Sequence, residues 1–224
     1  FAAGGLWLAL WQRRVRLAGL VPAAIGAIQL ALLVPPAGAR PVMLGTQSII
    51  INEVAWMGTL SDANHEWIEL YNPGTSDVNI TGWRLQAVDG TPNIVLSGII
   101  PAGSYFLLER NDLATTVAAD QIYTGALGNG PPGETLQLFD NSSPTPILID
   151  TANYPTGNPW PQGNNTTKCT MERVGPLLDE PASWGTSPPN TIAQDNSGNN
   201  ICGSPKAQNS QFITRSEERR VGKE

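Results

Sequence analysis

The stretch HEWIELYNPGTSDVNITGWRL, residues 65–85, decides how the rest of the chain is read. In its first part Trp67, Glu69 and Tyr71 alternate with Ile68 and Leu70. Large apolar groups thus fall on both faces of an extended segment, as in a strand covered on one side and partly sheltered on the other. Asn72-Pro73-Gly74 then supplies the fixed φ and the φ > 0 position of a tight turn. A second strand follows across 78–88. Glu66 and Glu69, three apart on a strand, point to opposite faces and make no direct catalytic pair.

Outward from this stretch the same grammar repeats. Short runs predict strands at 48–56, 66–72, 78–88, 93–97, 104–110, 134–140, 146–150 and 169–174. Between them stand turn residues such as Asp89-Gly90, Pro101-Ala102-Gly103, Gly128-Asn129-Gly130 and Asn141-Ser142-Ser143-Pro144. With 23 glycines, 19 prolines and only 14% charged residues, the 224-residue chain reads as strands and turns, long enough for one domain with a real core and flanking segments. Short strands at close spacing without a helical period make an all-β sandwich the expected architecture. Residues 175–209, rich in Pro, Asn, Ser and Gly, are expected to wrap the sandwich as a closing segment anchored by Trp184. Trp56, Trp67 and Trp83 fall in predicted strands and are assigned to the core.

Three blocks carry a family resemblance: IINEVAWMG (50–58), HEWIELYNPGTSDVNITGWRL (65–85) and IIPAGSYFLLER (99–110). In that order and spacing they resemble the bacterial lamin tail domain. GETLQLFD (133–140), TMERV (170–174), Ser183-Trp184-Gly185 and Gly203-Ser204-Pro205 are similar to the family's remaining landmarks. His65 stands where the family usually has an acid, and Lys206 with Gln208 replaces the usual Gly and Pro. The resemblance implies an immunoglobulin-like β-sandwich over residues 48–210 without known catalysis. It also implies an accessory module of a secreted or membrane-anchored protein, of the kind found beside nucleases, phosphatases and other hydrolases.

The flanks read differently. Residues 1–39 are expected to hold a truncated membrane helix or a signal peptide, and 40–47 a linker. No residue from Leu17 to Ala39 is charged, and Arg13, Arg14 and Arg16 precede that stretch. As a secretory signal it would be cleaved at Ala37-Gly38-Ala39. As the last membrane helix of a larger protein it would follow FAAGGLWLALW, itself apolar. Either way the positive-inside rule sets the domain outside, extracytoplasmic and either membrane-anchored or secreted. GGLWLALWQRRVRLAGLVPAAIG is also weakly similar to the membrane region of competence-type DNA-uptake channels. The chain starts at Phe1, from which a missing N-terminus is expected. Residues 211–224 are expected to be a disordered tail, and RSEERRVGKE (215–224) is similar to a translated sequencing adapter.

Between Pro41 and Thr214 sixteen acids oppose five bases, a net charge of -11. Such a surface disfavours direct nucleic-acid binding, which depends on Lys and Arg. The two cysteines, Cys169 and Cys202, follow an export or membrane segment and are expected to form a disulfide, two idle thiols being the alternative. The single histidine, His65, reads as a solvated turn residue and leaves little for nucleophilic catalysis. Glu53, Asp62 and Glu66 would approach one another if the first two strands pair, giving a hard-oxygen site for Ca²⁺; ordinary acids on an acidic surface are the plainer reading. No other cofactor is expected. Trp160, flanked by Pro159 and Pro161, reads as an exposed aromatic for a sugar ring or a partner, or else as a loop anchor. The expected function is a non-catalytic extracytoplasmic tethering module with a protein or cell-surface partner. A carbohydrate- or calcium-binding module of a secreted hydrolase is the alternative.

Overall fold

The computed structural model describes residues 47–155 and 158–212. The apolar segment 1–39, most of the linker and the adapter-like tail lie outside the described residues. The chain divides into two units, Phe1–Ala37 and Gly38–Glu224, and every described residue belongs to the second. Among the described residues no helix is long and apolar enough to cross a membrane.

The strands are β1 (Ile50–Ala55), β2 (Trp67–Tyr71), β3 (Val78–Asn79), β4 (Arg84–Ala87), β5 (Asn93–Val95), β6 (Ile99–Ile100), β7 (Tyr105–Glu109), β8 (Gln121–Ile122), β9 (Leu136–Phe139), β10 (Leu148–Ala152), β11 (Met171–Arg173) and β12 (Trp184–Thr186). They form a six-stranded sheet in the order β12-β11-β1-β2-β7-β8, a four-stranded sheet β10-β9-β4-β5 and a two-stranded β3-β6 ribbon. The β7–β8 pair is parallel, whereas the central β1–β2 and β2–β7 pairs are antiparallel.

The two large sheets pack face to face as an immunoglobulin-like sandwich. Ile51, Val54, Ile68, Leu70 and Leu108 of the first sheet share one core with Leu85, Ile94, Leu136 and Leu138 of the second. Alternation gives the second sheet a wet outer face: β4 buries Leu85 and Ala87 while Arg84 is exposed and Gln86 half-buried. The first sheet is buried on both faces. Its outer face carries Ala55, Trp67 and Leu107, which pack on Ala114, Ala193 and Ile201. The closing segment therefore supplies the second layer that the apolar doubling of WIELY demands.

Some expectations need correction. The predicted strand 78–88 is broken, because Gly82 at φ 84° and a turn from Trp83 N–H to the Ile80 carbonyl separate β3 from β4. The two halves then serve different sheets, β3 pairing with β6 and β4 with β5 and β9. Strands β6 and β8 have two residues each, too short for a period to be read, and β12 lies within the segment expected to be irregular. Gln211 and Phe212 are not tail: the Gln211 N–H reaches the Glu172 carboxylate at 3.4 Å and Phe212 sits edge-on to Tyr71 at 6.3 Å.

Candidate functional site

The outer face of the six-stranded sheet gathers carboxyl groups in the middle of apolar strands. Glu53 of β1 lies opposite Glu172 of β11 on one side and Glu69 of β2 on the other, and all three are fully buried. The closing segment supplies their donors. Ser204 N–H donates to Glu53 at 3.0 Å, and Ser204 Oγ lies 2.9 Å from both Glu53 and Glu172. Thr170 Oγ1 also donates to Glu53, the Lys206 N–H to Glu69, and Ser210 Oγ to Glu172. Asn52 Nδ2 donates to Glu69 at 2.9 Å, and Asn209 Nδ2 donates to the Asn52 and Arg173 carbonyls. Burial, then the charges of Glu172 and Glu69, push Glu53 well above the usual carboxylate range. Burial pushes Glu69 up to about 8. These groups act as a hydrogen-bonded latch for residues 203–211. The disulfide Cys169–Cys202, with Sγ–Sγ 2.03 Å and Cα–Cα 4.4 Å, fixes the same segment one residue before Gly203.

A second buried charge set ties the sheets together. Arg173 of β11 donates to Asp150 of β10 at 2.7 Å, both fully buried, and its guanidinium lies 4.2 Å from the Trp184 ring centroid. Asp150 also accepts the Ile51 N–H at 2.7 Å. Burial, partly offset by Arg173, raises Asp150 to about 6. Glu172 and Arg173 are adjacent in sequence yet serve opposite faces, which no local pattern distinguishes from an exposed Glu-Arg pair.

The catalytic candidates do not assemble. His65 is buried, contrary to the solvated reading, because the 59–65 turn folds over it: its Nδ1 lies 3.1 Å from Ser61 Oγ and 3.3 Å from Thr59 Oγ1. Asp62 is 4.0 Å from Nε2, too far for a hydrogen bond, so Ser61, His65 and Asp62 share a turn without forming a relay. The calcium expectation at Glu53, Asp62 and Glu66 fails on geometry. Glu53 is sealed under the latch, Asp62 is exposed, and Glu66 faces the other way, where Arg110 donates to it at 2.9 Å and the Leu127 N–H at 3.2 Å. Among the described residues no group of three or more His, Cys, Asp or Glu side chains is placed to hold a metal ion.

Of the two readings of Trp160 the exposed one is corrected and the loop anchor holds, the ring being buried at 9% exposure. It stacks on Trp56 with rings 6.2 Å apart and 5° from parallel, and its Nε1 donates to the Gly128 carbonyl at 2.7 Å. The flanking prolines mark a loop that folds back onto the sandwich rather than outward. Trp56, Trp67 and Trp83 are all buried, Trp56 and Trp83 between the sheets and Trp67 under the closing segment. Asn79, Asn141, Asn164 and Asn165, each of which begins an Asn-x-Ser/Thr sequence, are exposed.

Among the described residues, two of the surface concavities are open enough to admit a small group. On the outer face of the second sheet an open depression of about 400 Å³ is lined by Arg84, Gln86, Phe139, Asp140 and Asn141. At one end of the sandwich a pocket of about 220 Å³ is lined by Val88, Asp89, Gly128, Pro132 and Glu134, among others. Glu134 Oε2 accepts the Gly128 N–H at 2.8 Å, but no donor among the described residues reaches its buried Oε1. Burial first, then the neighbouring Asp89 carboxyl, pushes Glu134 up to about 8. The sequence held no signal for this pair, since Asp89 reads only as a turn residue and Glu134 as the start of a strand.

No curated protein matches the chain at a significant level. A family model described as Lamin Tail Domain matches residues 45–156, half of the 224 residues. That span carries β1 to β10, all of the second sheet and most of the first. By this match and by the sandwich it describes, the chain belongs to the lamin tail domain family of non-catalytic, immunoglobulin-like interaction modules.

Proposed function

We propose that the domain acts outside the cytoplasm as a tethering module, an accessory part of a larger secreted or membrane-anchored protein that holds its neighbour to a protein or cell-surface partner. The observation that carries this reading is the Cys169–Cys202 disulfide beneath the closing segment. Such bonds persist in oxidising compartments and are rare in the cytosol. The net charge of -11 between Pro41 and Thr214 supports a partner other than nucleic acid. The test is labelling of intact exporting cells with a membrane-impermeant maleimide. Cys169 and Cys202 should react only after an impermeant reductant, and a fused reporter should leave the surface when residues 48–210 are deleted. Thiols that react only after lysis, or a reporter retained without the domain, would remove the reading.

A carbohydrate-binding role has one observation in its favour. The depression on the second sheet puts the Phe139 ring beside Arg84, Gln86 and Asn141, the mixture of a flat apolar face and polar groups that a sugar ring requires. A glycan array separates the two readings.

A further inference from the structure

We propose that Asn164 is a glycosylation site, its side-chain nitrogen taking a saccharide from a lipid-linked diphosphosaccharide outside the cytoplasm. The inference rests on the extracytoplasmic reading above and goes beyond it to a covalent modification. Four asparagines begin an Asn-x-Ser/Thr sequence: Asn79, Asn141, Asn164 and Asn165. All four are exposed, so accessibility alone does not choose between them. The sequence requirement implies that two groups must be open at once, the amide nitrogen to be modified and the hydroxyl two residues on. Hydrogen bonding closes three of the four. For Asn79 the hydroxyl is taken: Thr81 Oγ1 accepts the Gly98 N–H at 3.2 Å and donates to the Gly98 carbonyl at 3.5 Å. Asn141 donates its own amide nitrogen to the Thr81 carbonyl at 3.0 Å, and Pro144 directly follows its Ser143. For Asn165 the hydroxyl is that of Thr167, which donates to Cys169 Sγ at 3.2 Å. The Asn165 oxygen is occupied as well, by Lys168 Nζ at 2.7 Å.

Asn164 keeps both groups open. Its Oδ1 accepts the Thr166 and Thr167 N–H groups at 2.9 and 3.0 Å, so the oxygen is the branch that is held and the nitrogen is the branch that is not. Among the described residues neither the Asn164 nitrogen nor the Thr166 hydroxyl takes part in a hydrogen bond. The turn that carries them is fixed at its base. Asn164 and Cys169 exchange backbone hydrogen bonds at 2.8 and 3.2 Å, and Lys168 Nζ donates to the Met57 carbonyl at 2.9 Å. Residues 164–167 are exposed throughout. The reaction is a displacement at the anomeric carbon. Asn164 Nδ2 bonds to that carbon, the bond from it to the diphosphate oxygen breaks, the electron pair leaves with the diphosphate, and one amide proton passes to a base of the transferase. Exposed turn tips are preferred sites of proteolytic nicking, and this one adjoins the disulfide that fixes the closing segment. A saccharide on Asn164 shields it.

The experiment incubates the folded, oxidised full chain with a purified single-subunit oligosaccharyltransferase and its lipid-linked saccharide, and locates the product by peptide mass spectrometry. The saccharide is expected at Asn164 and at no other asparagine. Asn164→Gln and Thr166→Ala should each abolish it. Asn165→Gln leaves Asn164-x-Thr166 intact and should not. Asn164, Asn165 and Thr166 are exposed, so the variants should melt with the parent protein. A folded protein that stays unmodified would overturn the proposal, and so would equal modification at Asn79, Asn141 or Asn165. Modification that survives Thr166→Ala would likewise remove Asn164 as the acceptor. Because the assay needs no cell, any of these failures leaves the compartment reading standing, and labelling of intact cells tests that reading by itself.

Discussion

Asp150 and Arg173 are each fully buried, and neither could remain so without the other. The pair stands where the two sheets meet, and Arg173 gains a second contact from the Trp184 face. Asp150→Ala should therefore destabilise the domain by about 3 to 5 kcal/mol, since it strands a buried guanidinium. The double change Asp150→Leu with Arg173→Met should recover much of that loss in a denaturant titration, because apolar residues of similar size often replace a buried pair without penalty. A double variant no more stable than Asp150→Ala would contradict this account. Trp83→Ala removes a ring at 7% exposure from the same core and should cost about 3 to 5 kcal/mol. At this scale the sequence was legible where identity alone carries the role, as for the three core tryptophans. It was illegible where the role depends on a distant partner. In the sequence Trp160 stays open between an exposed contact and a loop anchor, because its prolines are adjacent and its stacking partner, Trp56, is more than a hundred positions away.

Among the elements, the strands with five or more residues were readable because a period of two needs several repeats to show itself. Strands β6 and β8 have no room for a period, and β3 and β4 merge into one run unless Gly82 is recognised as the break. The closing segment lay beyond periodicity altogether, yet its docking was foreshadowed by polar residues within apolar strands: Asn52-Glu53 in β1, Glu69 in β2 and Glu172 in β11. Each needs donors on a face that would otherwise be greasy, and Ser204, Lys206 and Ser210 bring them. The disulfide closes a loop with a sequence separation of 33. In the chain-entropy model a loop of this length is worth about 3 to 4 kcal/mol. Replacing both cysteines by serine should lower stability by about that amount. Hydrogen exchange should localise the effect, with the Ser204 and Lys206 amides losing protection before the amides of β2 and β7. Uniform loss across both sheets would mean that the segment is not a separate unit of stability.

For the molecule as a whole, the described packing lies between Gln47 and Phe212, so a chain trimmed to 41–214 should unfold cooperatively at the melting temperature of the full chain. The buried carboxyl groups give that melting temperature a particular response to pH. Glu69 and Glu134 are each raised to about 8, Glu109 to about 7 and Asp150 to about 6, in every case chiefly by burial, while Glu53 is raised well above its ordinary value. A carboxyl whose pKa is higher folded than unfolded binds more protons in the native state. Stability must then fall as pH rises from the unfolded value, about 4.5, towards the folded one. The acids shifted the other way, Asp62, Asp140 and Asp195, are held low by hydrogen bonds and matter only below about pH 4. The melting temperature should therefore be higher near pH 5 than near pH 8, by on the order of 5 °C for a domain of this size. Glu69→Gln, which keeps the shape and cannot ionise, should flatten the upper part of that slope. A melting temperature that stays level or rises from pH 5 to 8 would mean that the buried acids ionise freely, and that the closing segment binds them as anions.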